Sequence, residues 1–168
     1  MWYVMQVRTG KEEKTIFMIE QHTADKRFGT CFLPRYERQR KYAGSWNLKQ
    51  EILFPGYVFV DTEEIEAFYL SLKGVPELTK LLGNGELWTP VDEMDLKILH
   101  HLLDECHLVG MSEGVIEDTK IKIEKGPLKG MDAQIRRVDR HRRTAVVELQ
   151  MFGRLQEIEV GVEILRKE

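Results

Sequence analysis

Ile121-Lys122-Ile123-Glu124-Lys125-Gly126-Pro127-Leu128-Lys129-Gly130 alternates isoleucine with charged residues and then breaks at Gly-Pro. A period of two marks a half-buried strand, and Gly-Pro between charged residues marks a turn that exposes a loop. The same period continues downstream. Ile135 and Val138 flank Arg136-Arg137, Val147, Leu149 and Met151 alternate with Glu148 and Gln150, and Ile158, Val160, Val162 and Ile164 complete the set. Four or five short strands within residues 119–168 cannot build an extended sheet with a sizeable core. A small closed or nearly closed β-barrel hides both edges and apolar side chains, and it is the form expected here.

Charge divides at the same place. Residues 119–168 hold 12 Lys+Arg against 8 Asp+Glu, a balance of +4, whereas residues 1–118 hold 13 against 20, a balance of −7. Polyanions are the natural partners of the second segment. Within it, Arg136-Arg137-Val138-Asp139-Arg140-His141-Arg142-Arg143 places five arginines and a histidine around one hairpin turn, with no lysine. Arginine suits bidentate phosphate contact and base stacking. A charge run is also the ordinary form of a solvated face. Between these readings, nucleic-acid binding is the expectation for Arg136, Arg137, Arg140, His141, Arg142 and Arg143, with Lys125 and Lys129 beside them.

Upstream, the pattern is mixed. Trp2 to Val7 reads as a strand, and Thr9-Gly10-Lys11-Glu12 has the form of a capping box opening a helix to about Gln21. Residues 31–60 read as two strands around a long polar connection, Arg35 to Gln50, closing on Tyr57-Val58-Phe59-Val60. Asp61 or Thr62 can cap a second helix with Ile65, Phe68 and Leu72 on one face, stopped by Gly74-Val75-Pro76. Residues 77–91 are turn-rich around Gly83-Asn84-Gly85. Asp92, Glu93 and Asp95 cap a third helix carrying Leu96, Leu99, Leu102 and Leu103. This content predicts an α+β protein: an N-terminal α/β layer domain over 1–106, a linker over 107–118 and a β-barrel over 119–168.

Several classes are disfavoured. No apolar run approaches the roughly 20 residues that cross a bilayer, and Met1-Trp2-Tyr3-Val4 has no basic, cleavable leader, so the expectation is a cytoplasmic chain without membrane association. Cys31 and Cys106 form no CxxC pair and are expected as free thiols. His100, His101, Cys106 and His107 lack the paired spacing of zinc modules, so no metal and no cofactor is expected. Gly126-Pro127-Leu128-Lys129-Gly130 lacks P-loop spacing, and nothing signals a nucleophile–base arrangement, which disfavours an enzyme.

The 121–130 stretch with Ile135 and Val138-Asp139 resembles the KOW motif of ribosomal proteins and transcription elongation factors. Leu53-Phe54-Pro55-Gly56-Tyr57-Val58-Phe59-Val60, placed after the Trp2-Tyr3-Val4 strand, resembles the N-terminal domain of the NusG family, and Met151-Phe152-Gly153-Arg154 matches the Phe-Gly-Arg loop of its barrel. The resemblance runs from Trp2 to about Lys167. It implies a NusG-type α/β sandwich followed by an SH3-like barrel, acting as a non-enzymatic monomer. It implies further that Trp2, Tyr3, Phe54, Pro55 and Tyr57 face the clamp helices of RNA polymerase. The Arg35–Gln50 connection would lie near single-stranded DNA of the transcription bubble, with Arg35, Arg38, Arg40, Lys41 and Trp46 as contacts. Interleaved cations and rings suit such a ligand. Phe152 and Arg154 would meet ribosomal protein S10 or the termination factor Rho.

The motif also departs from the housekeeping pattern of that family. Lys125 stands where Asp usually precedes Gly-Pro, Ala133 stands in place of a second Gly, and Leu155-Gln156-Glu157-Ile158-Glu159 replaces Thr-Pro-Val-Glu-Leu. With the arginine-rich turn added, the chain is most similar to specialised antiterminators of the LoaP type, which a structured RNA hairpin recruits to selected long operons. The rival readings are a housekeeping NusG factor linking polymerase to ribosomal protein S10 or Rho, and a ribosomal scaffold protein. The acidic first segment weighs against the second rival.

Overall fold

A computed structural model describes residues 1–23, 28–72 and 88–168. Its described residues fall into two compact units, Met1–Leu33 with Phe54–Asp92, and Pro34–Leu53 with Glu93–Glu168.

In the first unit, β1 (Trp2–Gln6) lies between β5 (Tyr57–Asp61) and β6 (Thr89–Pro90), with β2 (Thr30–Phe32) on the far side of β5. All three pairings are antiparallel, with Val4 opposite Phe59 and Cys31 opposite Val60. Pro90, which has no N–H to donate, stands in the edge strand where such a residue is tolerated. Helix α1 (Glu12–His22) places Ile19, and α2 (Ile65–Leu72) places Phe68 and Leu72, into a core shared with Met5, Val7, Val58, Val60 and Trp88. The apolar spacing read for α2 therefore marks its buried face. The expected start of α1 is shifted: the helix begins at Glu12, and Lys11 at its N-cap makes no side-chain cap bond. The Glu12 carboxylate instead takes the N–H of Gly10, so only half of a capping box forms, displaced by one residue. The expected stop at Gly74-Val75-Pro76 and the turn at Gly83-Asn84-Gly85 lie outside the described residues.

The second unit holds the segment expected as a polar connection. It is a regular hairpin, β3 (Arg35–Tyr42) with β4 (Ser45–Ile52), closed by Ala43 and Gly44, both at positive φ. Two consecutive left-handed residues match the right-handed twist of the strands they join. Strand β7 (Leu108–Val109) runs parallel to the start of β3, opposite Arg35 and Tyr36. Helix α3 (Glu93–Leu102) buries Leu99 and Leu102.

The barrel segment of this unit is a five-stranded sheet in the order β10 (Ile135–Asp139), β11 (Thr144–Met151), β12 (Arg154–Lys167), β8 (Ser112–Glu117), β9 (Lys120–Lys125). The alternation read from the sequence holds: Ile123, Val147, Leu149, Met151, Ile158, Val160 and Val162 are buried. Residues 112–117, expected within a linker, instead form β8, paired with β9 and, in parallel, with the end of β12. Gly114 reads as a loop residue but serves close packing, since a Cβ there would meet the Lys122 carbonyl oxygen at 2.7 Å. At the Gly-Pro turn, Gly126 has φ 101°, and an added Cβ would lie 2.6 Å from the Ser112 Cα. The Ser112 hydroxyl oxygen accepts the Leu128 N–H at 3.1 Å, which seats Leu128 in the core.

Candidate nucleic-acid interface

The β10–β11 turn is closed locally. Asp139 Oδ1 accepts the backbone N–H groups of His141 and Arg142, each at 3.0 Å, and these bonds hold the Asp139 carboxyl below its usual value. Arg143 completes the turn in a left-handed conformation, φ 53°. Around this frame the cations separate into two groups. Arg136 Nη2 donates to Glu148 at 2.9 Å, which raises the Arg136 pKa further. Arg142 lies 3.3 Å from Glu159, and Arg143 lies 3.6 Å from Glu163. Arg137 reaches Glu157 only at 4.0 Å, between two exposed side chains, a distance at which the pair contributes little. Arg140 and His141 are exposed, and among the described residues their side chains make no hydrogen bond or ion pair, although the His141 charge acts on Asp139. Lys125 and Lys129 are exposed at the Gly-Pro turn.

A shallow cavity of about 470 Å³ is bordered by Arg140, His141, Arg143, Glu163 and Ile164. A second, of about 390 Å³, is bordered by Arg137, Arg140, Arg142 and Glu159. Both are open and cation-edged, with Glu163 in the wall of the first and Asp139 and Glu159 in the wall of the second.

The β3–β4 hairpin adjoins this turn within the same unit. The Arg143 guanidinium lies over the Trp46 ring, 3.9 Å from its centroid, and donates to Gln39 Oε1. Trp46 is the cross-strand partner of Lys41, and Gln39 that of Leu48, so these residues share one hairpin face. Of the residues expected to contact DNA, Arg40 and Lys41 are exposed at the hairpin end, Trp46 is half-buried under Arg143, and Arg35 is half-buried. Arg38 is elsewhere. It is buried, 3.6 Å from Glu51 and 3.9 Å from Glu159, with its Nε unbonded. Tyr36 donates to Glu51 at 3.0 Å beside it, and burial together with that carboxylate pushes its phenol well above the usual range. Tyr42, one of the rings interleaved with the cations of this connection, is 75% exposed next to Lys41 in the chain.

Of the residues expected to face polymerase, Trp2, Phe54 and Tyr57 lie along one aromatic series in the first unit, whereas Tyr3 is on the opposite face of β1, packed against the core of Met5, Val7 and Ile19. Trp2 packs edge-on against Phe32 at 4.9 Å, Phe32 against Phe59 at 5.5 Å, and Phe59 against Phe54 at 5.8 Å. Phe54 and Tyr57 are buried, Trp2 and Tyr3 half-buried, and Pro55 exposed. Gly56, φ 86°, gives its carbonyl to the Val7 N–H and so fixes the Pro55-Gly56 turn beside β1. At the other barrel end, Phe152 and Gly153 form the β11–β12 turn, both at positive φ, with Arg154 exposed. Asp95 Oδ2, on α3, accepts the Phe152 N–H at 2.9 Å. Asp95, expected at the cap of its own helix, is buried and tied to that turn.

The family model described as transcription termination factor nusG matches residues 1–100, more than half of the chain. The chain belongs to the NusG family. Among its NusG relatives, the transcription termination/antitermination protein of Haemophilus influenzae is 24% identical over 95% of this chain and 89% of its own length. The Pasteurella multocida protein of the same name is 22% identical over 99% and 94%. A solved structure of Thermotoga maritima NusG, described by its domain interaction, aligns with a TM-score of 0.54 at 23% identity, covering 97% of this chain and 93% of that one. The fold is thus that of NusG, with an N-terminal domain and a C-terminal β domain, and the chain is a NusG-like transcription termination/antitermination factor. Among the described residues no helix is long and apolar enough to cross a membrane.

Proposed function

We propose that this NusG-family chain is an elongation and antitermination factor that engages RNA polymerase through its N-terminal domain (residues 1–106) and is brought to selected operons by a structured RNA bound at its barrel (residues 119–168). The observation that carries the recruiting role is the β10–β11 turn, which presents Arg140 and His141 with no side-chain bond among the described residues, and Arg137 only loosely held, in open cation-edged depressions. Arg136, Arg142 and Arg143 are bound to glutamates and shape this surface more than they contact RNA. Lys125 and Lys129 extend the positive field at the Gly-Pro turn.

Polymerase contact is assigned to Pro55 at its exposed turn, with Trp2 half-open at the end of the aromatic series and Tyr3 half-open on the opposite face of β1. Phe54 and Tyr57 support them from within. An aromatic patch around a rigid turn is the usual form of an interface anchor for a helical partner such as the clamp helices. The chain acts as a monomer on this reading and needs neither cofactor nor metal. On the housekeeping reading, Phe152 and Arg154 at the β11–β12 turn would instead contact ribosomal protein S10 or Rho.

Occupancy of the chain along the genome tests the proposal. Enrichment over a few long operons, lost when Arg140 and His141 are both replaced by Ala, is the expected result. Uniform occupancy of all transcribed genes, unchanged by that replacement, would overturn it in favour of the housekeeping role.

A further inference from the structure

We infer that the RNA site does not end at the barrel turn but continues onto the tip of the β3–β4 hairpin, where Arg40, Lys41 and Tyr42 take an unpaired RNA segment flanking the structured element. This rests on the proposal that the barrel turn binds RNA. Three observations carry it. First, Arg143 joins the two surfaces physically, bordering the same depression as Arg140 and His141 while covering Trp46 and bonding Gln39 on the hairpin. Second, the hairpin end beyond this junction carries cations whose exposed side chains, Arg40 and Lys41, form no ion pair among the described residues, and Lys49 is exposed on β4. Third, Tyr42 offers an open ring on the same face of β3 as Arg40, with Lys41 between them on the other face of the narrow hairpin end.

The chemistry of the two ends differs. The barrel turn supplies guanidinium and imidazole groups on a rigid frame, which suits the phosphates of a helical stem. The hairpin tip supplies two cations and a bare phenol ring, the combination that holds unstacked bases. A stem with a single-stranded flank meets both, whereas a blunt stem meets only the first. The Arg143–Trp46 contact sets the spacing between the two ends without using the ligand-facing groups.

The test uses the full chain and two labelled RNA probes: a hairpin with a five-nucleotide single-stranded 3′ flank and the same hairpin with blunt ends. The flanked probe should bind about tenfold more tightly. Arg40→Ala/Lys41→Ala should weaken binding of the flanked probe about tenfold and lower its salt slope by about 1.4, or about 0.7 per lost phosphate contact. Tyr42→Ala should weaken it by a similar factor through lost stacking. Neither change should alter binding of the blunt probe. Arg140→Ala/His141→Ala should weaken both probes. Lys14→Ala/Lys97→Ala carries the same loss of charge on exposed helix positions and should change neither by more than about twofold. Equal binding of the two probes, or hairpin-tip variants indistinguishable from the control, would overturn the inference and leave the barrel site standing. A flank of DNA binding as tightly as the RNA flank would overturn the assignment to RNA. Failure of the unaltered chain to bind either probe at 50 mM salt would overturn the barrel reading, and the inference with it.

Discussion

Arg143 and Trp46 lie 97 positions apart in sequence, yet the guanidinium of one covers the indole ring of the other at 3.9 Å. The same guanidinium meets Glu163 and Gln39, and its side chain is only 26% exposed. A planar cation on an aromatic face is worth about 0.5–2 kcal/mol depending on how far it is desolvated. Arg143→Ala is therefore expected to cost about 1–2 kcal/mol in urea unfolding and to shift Trp46 fluorescence toward that of a hydrated indole. Arg143→Lys should recover little, because an ammonium cannot lie flat on the ring and bond Gln39 at once. A double-mutant cycle with Trp46→Ala should give a coupling energy near 1 kcal/mol. A coupling of zero would remove the contact as a fixing point for the hairpin.

Asp95 reaches out of α3 to the Phe152 N–H in a turn whose two central residues are both left-handed. Removing a buried acceptor leaves that N–H without a partner, at a cost of about 1–3 kcal/mol. Asp95→Ala should lower stability by that amount and speed hydrogen exchange at the Phe152 amide. Asp95→Asn, which keeps an acceptor oxygen, should lie between the two. Unchanged exchange at Phe152 in Asp95→Ala would show that the turn holds itself.

The two thiols should react at very different rates. Burial pushes the Cys31 thiol up to about 12, whereas Cys106 is exposed. At pH 8 only about one Cys31 in ten thousand is thiolate, the form that attacks a disulfide reagent. Titration with such a reagent should show one fast thiol, abolished by Cys106→Ser, and a second that appears only on unfolding. A raised thiol value also means that folding favours the protonated form. The Cys31 contribution is thus complete below its unfolded value near 8.5 and declines as pH rises through the window up to about 12.

Asp139 has the opposite sign. Its folded value is depressed by the N–H groups of Arg142 and His141, so it stabilises the turn above its unfolded value of about 3.9 and loses that contribution as pH falls through the folded value. The difference in melting temperature between the unaltered chain and Asp139→Ala should be constant from pH 7 to 5 and shrink below pH 4. A difference independent of pH would show that the turn relies on shape alone.

The barrel was legible in the sequence because one face of each strand is apolar and the other charged, and that contrast survives without knowledge of register. The β3–β4 hairpin was not legible, for a related reason. Arg35 to Gln50 carries polar residues on both faces, so alternation has nothing to contrast, and Ala43-Gly44 is a weaker turn signal than Asn-Gly. Strand β8 reads as linker in the sequence because Gly110, Ser112 and Gly114 resemble loop punctuation. In the structure Gly114 admits a neighbouring backbone and Ser112 bonds the Gly-Pro turn. The arginine run was visible in full, but its division was not. Which arginines meet Glu148, Glu159 and Glu163 depends on the register of β10, β11 and β12, and on the placement of a hairpin a hundred residues upstream.

Gly161 gives the position of that hairpin a signature that can be read from sequence. It stands in the long strand β12, and a Cβ there would fall 2.2 Å from the Glu37 carbonyl oxygen and 2.3 Å from the Met111 sulfur. The obstacle is backbone, which no change of rotamer relieves. Every side chain larger than hydrogen at this position is therefore incompatible with β3 lying where it does. A homologue that carries alanine or valine there must hold its hairpin differently, and one glycine thus distinguishes which relatives can share this arrangement.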